Sequence, residues 1–361
     1  MAKKSRGALI TLAMVAVMLY WARPLLGCGP FFNVAIYSFD YHPDLPLNNF
    51  AAGQLGIVQP GWARSYLFVA YRYLAGPGFD ADERKALVSF WMDRAPFPTP
   101  GINASQAPAA FDPLKPWLDA RSKVPGAGDA PAIDVNRSSA DDSYSYVNCN
   151  DDAFVSAAAT LNEMIGKFGA GGSQLKDWLQ AQDQVFSDCH SGNAIPAAAP
   201  AQMTPLEKAQ RDYQIASANF YTGHFDLAQQ QFDAIGKDLA SPWREIAPYL
   251  AARALIRKAT LAPKLDNAAL GEAESRLKKI AADSADAHLC SSTQGLLTFI
   301  AYRLHPQDRF AALAQALLKP GSGATLKNNL WDYTLFLDGA PQQNPDDMTD
   351  WIVNFQSADA K

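Results

Sequence analysis

The stretch from Asp212 to Leu261 constrains the fold of this chain most, because its apolar residues recur every three or four positions. That spacing places them on one face of an α-helix, and with the residues just before it the stretch predicts three helices in succession. Such faces are buried when neighbouring helices pack together, so the stretch predicts helical hairpins. The three predicted faces comprise Leu206, Ala209, Tyr213, Ala216 and Phe220; Phe225, Ala228, Phe232 and Ile235; and Trp243, Ile246, Leu250, Ala254 and Leu255.

The predicted helix ends carry start and stop residues. Thr204 followed by Pro205 is typical of an N-cap with proline at the first helical position. Gly223 is expected to end the first helix, because glycine takes the left-handed conformation without a side-chain clash. Ser241 is expected to cap the third helix, and Pro248 inside its pattern predicts a kink.

The first two of these helices resemble a tetratricopeptide repeat. Ala216, Gly223, Ala228 and Phe232 stand at the offsets where that repeat has small residues, a turn glycine and a bulky aromatic. Asn219 stands where the repeat has tyrosine, and the closing proline is missing. The resemblance implies one repeat-like unit; the alternative is an ordinary helical hairpin, since small-residue helix contacts are common.

Composition favours a folded, mostly helical protein. Apolar residues make up 48% of the 361 residues and charged residues 19%, which is typical of globular chains. The net charge is −5 and the extreme N-terminus holds the basic cluster, which argues against a nucleic-acid partner. The predicted fold class is therefore mostly α, made of helical hairpins, with a tetratricopeptide-like α–α stack in the C-terminal half and a loop-rich N-terminal region.

The first residues have the layout of an export signal. Lys3, Lys4 and Arg6 precede an uncharged apolar run at 8–22. A membrane-spanning helix needs about 20 apolar residues, so a signal peptide is favoured over an N-terminal anchor, which stays the alternative.

Residues 25–28, LLGC, resemble a bacterial lipobox, whose cysteine becomes lipidated. Arg23 and Pro24 separate the apolar run from this box, which departs from the pattern. Cys28 is therefore a candidate lipidation site. The alternative is that Cys28 lies beside a cleavage site and pairs with Cys290.

The sequence CGPFF, which begins at Cys28, is similar to the start of a family of secreted, uncharacterised bacterial proteins with tetratricopeptide-like C-terminal halves. The resemblance implies export and a helical architecture, and it implies no activity and no catalytic residues. Further similar fragments are QLGIVQPGWARSYLFVAYRYLAG at 54–76, CNDDAF at 149–154, WLQAQDQVFSDC at 178–189 and SPWREIAPYLAARALIRKA at 241–259.

Cys149 and Cys189 flank two predicted helices of similar length, which GAGG at 169–172 separates. Folded back antiparallel, the helices bring both cysteines to the same end, within the separation of about 7 Å that a disulfide needs. Export permits disulfides. We therefore predict a Cys149–Cys189 disulfide; the alternative is two buried free thiols.

The chain carries no familiar catalytic or cofactor motif. The G-x-S-x-G, H-E-x-x-H and P-loop patterns are missing, and the five histidines are scattered. Zinc ligands usually stand two to four residues apart, whereas Cys189 and His190 are adjacent. We predict no catalytic residue, cofactor or metal site, and a binding protein is favoured over an enzyme.

Tyr249, Arg253 and Arg257 step by four residues and share a face of the third predicted helix. They form a candidate ligand surface, where the two arginines would meet an acidic peptide or glycan. The alternative is solvated charges above packed side-chain stems.

The predicted organisation has four parts. Residues 1–27 form a signal peptide or anchor, and 28–191 form a loop-rich helical region with the disulfide-linked hairpin. Residues 192–203, rich in Pro and Ala, form a linker. Residues 204–361 form the tetratricopeptide-like domain.

The predicted function is an exported cell-envelope binding or scaffold protein, periplasmic or held at the membrane by a signal anchor or lipidated Cys28. Its expected partner is a protein or an envelope polymer. The alternative is an envelope hydrolase acting on glycan or peptide, which rests on the aromatic-containing loop at 141–146.

Overall fold

A computed structural model describes residues 42–93, 112, 114–139, 144–283, 287–339 and 346–357. This part of the chain is mostly α-helical, as predicted, with one two-stranded sheet. Helices α1 to α4 cover Leu47–Ala51, Arg64–Ala75, Ala81–Met92 and Lys115–Arg121, followed by strands β1 (Asn136–Ser138) and β2 (Ser145–Val147). Helices α5 to α9 cover Asp151–Phe168, Ser173–Ser187, Pro205–Tyr221, Phe225–Lys237 and Ala247–Leu261. Helices α10 to α14 cover Asn267–Asp283, Ala287–Leu304, Pro306–Leu318, Gly323–Gly339 and Asp347–Ser357.

The chain divides into two compact units. The first unit comprises Met1–Val88, Leu318–Leu330 and Pro345–Lys361, and the second comprises Ser89–Leu317 and Trp331–Asn344. The segment at 192–203 contains neither helix nor strand and lies within the second unit. The domain boundary that we placed there stays a prediction.

Helix α7 begins where the sequence predicts. The Thr204 hydroxyl accepts a hydrogen bond from the Glu207 amide at 3.3 Å, and the Glu207 carboxylate accepts one from the Thr204 amide at 2.7 Å. This reciprocal pair satisfies two amides that no helical carbonyl can reach. After α7, Gly223 takes a φ of +90°, which allows the sharp turn into α8.

Pro248 does not kink a helix, contrary to our expectation. Helix α9 begins at Ala247, so Pro248 lies in its first turn, where the missing amide costs no hydrogen bond. Residues 242–246 form turns, and the hydroxyl of Ser241 just before them accepts from the Trp243 amide at 3.2 Å. The ring of Trp243 stacks on Tyr213 with centroids 3.9 Å apart, so the apolar spacing reflects packing of the turn.

Helix α9 lies between two hydrophobic cores of the second unit. Ala247, Ala251 and Ala254 pack in the core formed with α7 and α8. Ala252 and Ala259 pack in the core formed with α10 and α11. A helix that is apolar on two faces must be buried on both, and its alanines let the neighbouring helices approach closely. The successive α7, α8, α9, α10 and α11 contacts form the predicted helical stack.

The disulfide-linked hairpin also forms as predicted. Helices α5 and α6 run back on each other across Gly169, which takes a φ of +74°. Cys149 and Cys189 are disulfide-bonded, with their Cα atoms 5.3 Å apart. Phe154 and Phe186 pack beside the bond, with ring centroids 4.7 Å apart.

Two short strands occupy the region that we interpreted as a loop. Strands β1 and β2 pair antiparallel, and Arg137 lies directly opposite Tyr146. The Ser139 amide donates to the Tyr144 carbonyl at 2.8 Å, which extends the pairing by one position. Because side chains alternate across a strand, Arg137, Tyr144 and Tyr146 share one face of the hairpin.

In the first unit, a buried ion pair joins α2 to α3. Arg72 and Glu83 are both fully buried, and Arg72 Nη1 lies 3.4 Å from Glu83 Oε1. Arg72 also donates to the Gly78 carbonyl, and Glu83 Oε1 accepts from the Ser322 hydroxyl at 3.0 Å. Glu83 Oε2 accepts from the Asp80 amide at 2.9 Å, and Asp80 Oδ1 accepts from the Glu83 amide at 2.8 Å, which caps the start of α3.

Reduction of the Cys149–Cys189 bond should lower the free energy of unfolding of the second unit by about 3 to 4 kcal/mol, because the bond restricts the unfolded chain. The loop that it closes spans a sequence separation of 40 residues. Urea unfolding with and without dithiothreitol measures this difference. A Cys290→Ser variant serves as the control and should show the same effect of reductant. Identical unfolding curves in both conditions would contradict the prediction.

The change Glu83→Gln keeps the shape of the side chain but removes the negative charge beside the buried Arg72. We expect the free energy of unfolding of the first unit to fall by about 3 to 5 kcal/mol, as when one partner of a buried ion pair is lost. Lys85→Ala, which removes an exposed ion pair with Asp82, should change it by less than about 1 kcal/mol. Denaturant titration followed by circular dichroism compares the two variants, and equal effects would be evidence against a structural role for the buried pair.

Candidate functional site

Several predicted features lie outside the described residues. These are the N-terminal signal, Cys28 with its lipidation or its pairing with Cys290, and Asp141 and Asp142 in the aromatic-containing loop. They stay predictions. In the described ranges, no helix has both the length and the apolar character that crossing a bilayer requires.

Arg257, which we predicted on a ligand surface, is bound within the protein. Its guanidinium donates to the main-chain carbonyls of Val147 and Asn148, at 3.0 and 3.2 Å, and to Asn148 Oδ1 at 3.2 Å. Burial lowers the pKa of Arg257, and the neighbouring Arg253 lowers it further. Arg257 therefore connects α9 to the end of β2 through hydrogen bonds.

Arg253 lies one turn earlier on α9 and pairs with Asp152. Its Nη1 atom is 3.5 Å from Asp152 Oδ2, and the side chains are 14% and 62% exposed respectively. The guanidinium also lies 5.7 Å from the ring of Phe220 and 5.9 Å from that of Tyr249. Burial raises the pKa of Tyr249. The three predicted residues thus share a face but have different surroundings.

A groove with a volume of about 470 Å³ lies between α5, α7 and α9, and we call it the helix groove. Tyr213 and Leu250 supply apolar surface to it, and Arg253 and Asp152 supply charge. Val155 and Ile246 are exposed there. Its defining residues are Asp152, Val155, Tyr213, Ile246, Leu250 and Arg253.

A small cavity of about 30 Å³ adjoins the helix groove and shares Tyr213, Ser156 and Ser217 with it. The buried Trp178 lines this cavity, and its indole Nε1 has no hydrogen-bond partner in the described part of the chain. Gln182 lines it as well. Polar groups therefore stand behind the apolar groove, where they fix orientation in many binding sites.

A second groove, with a volume of about 600 Å³, is formed by the β1–β2 hairpin, the residues after α6 and the turn between α7 and α8. We call it the hairpin groove. His190 lies at this groove, with its Nδ1 2.7 Å from the Asn136 carbonyl and 3.4 Å from Asp134 Oδ2. Its defining residues are Arg137, Tyr144, Tyr146, His190, Thr222 and Phe225.

Arg137 is held in the hairpin groove by main-chain carbonyls. Its Nη1 atom donates to Asp188 at 3.1 Å, to Gly192 at 3.4 Å and to Tyr221 at 3.1 Å. Asn148 Nδ2 donates to the carbonyls of Asp188 at 3.2 Å and Tyr221 at 2.9 Å. Both side chains therefore donate hydrogen bonds to carbonyls at the C-terminal ends of α6 and α7.

The carboxylate of Asp188 is fully buried beside this network. Its Oδ1 accepts from the Ala194 amide at 2.9 Å, and its Oδ2 has no hydrogen-bond partner among the described residues. Burial raises the pKa of Asp188 to about 6, against the lowering effects of the Ala194 amide and the Arg137 charge.

The acidic residues of the helix groove have a structural explanation. Asp151 and Asp152 stand in the first turn of α5, where the helix dipole stabilises carboxylates. Across the ranges that the structure describes, no three of His, Cys, Asp and Glu cluster in a way that could hold a metal ion.

Sequence reasoning missed Arg137, Val155 and the hairpin groove. The alternation of Ser and Tyr at 143–146 is the period-two signal that marks a strand face, and it points to this groove. Val155 has no such signal, because its exposure depends on which helices pack around it.

No protein-family model matches this chain, and it has no significant match among curated proteins or solved structures. The similarity of residues 28–32 and the later fragments to a secreted bacterial family therefore stays a prediction. The fold and the two grooves define a mostly helical protein with ligand-sized concave surfaces.

The change Asp188→Asn should stabilise the protein at pH 8 and have little effect at pH 4. The folded state keeps the Asp188 proton up to about pH 6, whereas the ordinary carboxyl pKa is 3.8. Between these values the folded state binds more protons than the unfolded state, so the free energy of unfolding falls as pH rises. The loss is complete above about pH 6 and amounts to about 2 to 3 kcal/mol.

Urea unfolding of the wild type and Asp188→Asn at both pH values measures this difference. The variant keeps an oxygen that can accept from the Ala194 amide. Asp129→Asn, at an exposed aspartate, is the matched control. Its free energy of unfolding should differ little from that of the wild type, and by the same amount at either pH. A stability difference for Asp188→Asn that does not grow with pH would contradict the assignment.

Proposed function

We propose that this is an exported cell-envelope binding or scaffold protein, whose helix groove holds a segment of a partner protein. The observation that carries the proposal is the exposure of Val155 and Ile246 in a groove between packed helices. Covering apolar side chains with a partner favours binding by about 25 cal/mol per Å² of apolar surface removed from water.

The charges at the groove favour an apolar segment that also carries a basic residue. Arg253 is already paired with Asp152, so its charge is largely compensated within the protein. Asp151 is exposed, and the side chain of Asp152 remains 62% exposed. A Lys or Arg of the partner segment would meet these carboxylates, while its apolar residues would cover Val155 and Ile246.

The proposed location is the bacterial cell envelope. It rests on the signal-like layout of residues 1–27, and the Cys149–Cys189 disulfide supports it, because disulfides persist in oxidising compartments. The proposed attachment to the membrane is through a signal anchor or a lipidated Cys28.

An envelope hydrolase acting on glycan or peptide is the second candidate. The hairpin groove supports it by placing His190 and two tyrosines around one concave surface. Hydrolysis would also need a nucleophile or a pair of carboxylates across the cleft, and none of the described residues that line this groove carries a carboxylate.

The proposal is tested with a photo-crosslinking amino acid at position 159 of the full chain, where the exposed Ala159 lines the groove, followed by capture from envelope extract. The double variant Val155→Asp/Ile246→Asp replaces the exposed apolar side chains with charged ones that lose water when an apolar segment covers them. We expect it to reduce binding of the crosslinked partner at least about tenfold. Leu239→Asp is the matched control, because Leu239 is 80% exposed and does not line the groove.

Crosslinking from position 159 to a distinct protein, lost in the double variant and kept in Leu239→Asp, would support the proposal. Equal capture by all three proteins, or no crosslinked product, would contradict it. Turnover of peptidoglycan by the full chain without such a product would favour the hydrolase instead.

A further inference from the structure

We infer that the hairpin groove binds an acidic saccharide, with the sugar carboxylate paired to Arg137 and a sugar ring packed against Tyr144. The inference concerns a different surface from the helix groove and does not depend on the proposed partner protein. It rests on the free edge of one arginine, on an exposed tyrosine platform and on the hydrogen-bonding side chains that line the groove.

The first observation is how Arg137 uses its donors. Among the described residues, all of its side-chain hydrogen bonds are donated by Nη1, to the carbonyls of Asp188, Gly192 and Tyr221. In the described part of the chain, no residue accepts from Nε or Nη2, and neither atom is sealed from solvent. Nε and Nη2 form the edge of the guanidinium that binds a carboxylate through two parallel hydrogen bonds.

This edge is also fixed in position. The three carbonyls hold Nη1, and the pairing of Arg137 with Tyr146 in the sheet holds the backbone. The ligand therefore meets an arginine whose flexibility has already been lost on folding, which reduces the entropy cost of binding. Asp188 accepts from Arg137 only through its main-chain carbonyl, so its side chain does not occupy this edge.

The second observation is the tyrosine platform. The side chain of Tyr144 is 51% exposed, and its ring centroid lies 6.4 Å from that of Tyr146. Tyr146 is supported by Arg257, whose guanidinium lies 5.1 Å from the ring. An exposed aromatic face beside a fixed charge suits a sugar ring, which has an apolar face of C–H groups and a polar edge of hydroxyls.

The third observation is that several hydrogen-bonding side chains line the groove beside its aromatic surface. Ser138, Ser191 and Thr222 supply hydroxyls, and His190 supplies a ring nitrogen. A bound peptide segment instead needs apolar pockets for alternate side chains or a free strand edge. Phe225 and Leu261 contribute apolar surface to the groove, but two such residues do not make a row of alternating pockets. The groove therefore fits a saccharide better than a peptide.

The test uses isothermal titration calorimetry of the full chain with a trimer of galacturonic acid at pH 7. The methyl ester of the same trimer is the matched probe, because it removes the charge and adds only one methyl group to each carboxyl. We expect the ester to bind at least about tenfold more weakly, as expected when a charge-assisted pair is lost. Trialanine with a free C-terminal carboxylate tests for peptide recognition.

Two variants locate the site. Tyr144→Ala removes an exposed ring. Arg137→Lys keeps a charged donor for the carbonyls that Nη1 now binds but removes the Nε–Nη2 edge. Each should weaken binding of the acidic trimer at least about tenfold, with unchanged circular dichroism. Tyr302→Ala is the matched control, because Tyr302 is 41% exposed and does not line this groove. It should leave the affinity unchanged.

Equal affinity for the acid and its ester would overturn the role of Arg137. Equal affinity in Tyr144→Ala and the wild type would overturn the platform. Binding of trialanine without binding of the acidic trimer, or no binding of either probe, would overturn the assignment of this groove to acidic saccharides.

Discussion

The arrangement of the second unit depends on how two helix C-termini are satisfied. The last carbonyls of a helix have no partner within it and carry the negative end of its dipole. Arg137 and Asn148 both donate to the carbonyls of Asp188, just after α6, and of Tyr221, the last residue of α7. Two side chains on either side of one short hairpin thus bind two helix ends to each other, directly beside the Cys149–Cys189 bond. The covalent bond and the hydrogen bonds fix the same junction.

This junction determines where both grooves lie. Helix α9 is attached to it through Arg257, which donates to carbonyls at the end of β2. Helix α7 therefore contributes Phe220 to the helix groove, while Thr222, just after its end, lines the hairpin groove. Because the helix groove is built on helices with buried alanine contacts, its walls are positioned by packing, as precise binding sites require.

The helices of this region could be predicted from sequence because each carries a face of regularly spaced apolar residues. Thr204 and Gly223 could be assigned as helix boundaries, since capping is local chemistry. The disulfide followed from two helices of matching length. Pro248 was misjudged because Trp243 continues the helical spacing while packing on Tyr213 from a turn. The internal hydrogen bonds of Arg257 could not be predicted, because its carbonyl partners stand about 110 residues earlier in the chain.

The buried Asp188 is best understood together with the wall of the hairpin groove. Its carboxylate accepts from the Ala194 amide and so draws the chain after His190 back against the end of α6. Gly192 makes that path possible, since a Cβ atom there would lie 2.6 Å from Asp188 Oδ1 and 2.5 Å from the Ser187 carbonyl oxygen. The raised pKa of Asp188 shows that this burial is unfavourable for the charged group. A stability cost next to a concave surface is typical of functional sites, where local rules are broken to shape the wall. The stability cost of burying Asp188 and the shape of the groove wall therefore have one cause. Residues 190–194 return closely over the end of α6, where Arg137 binds a carbonyl.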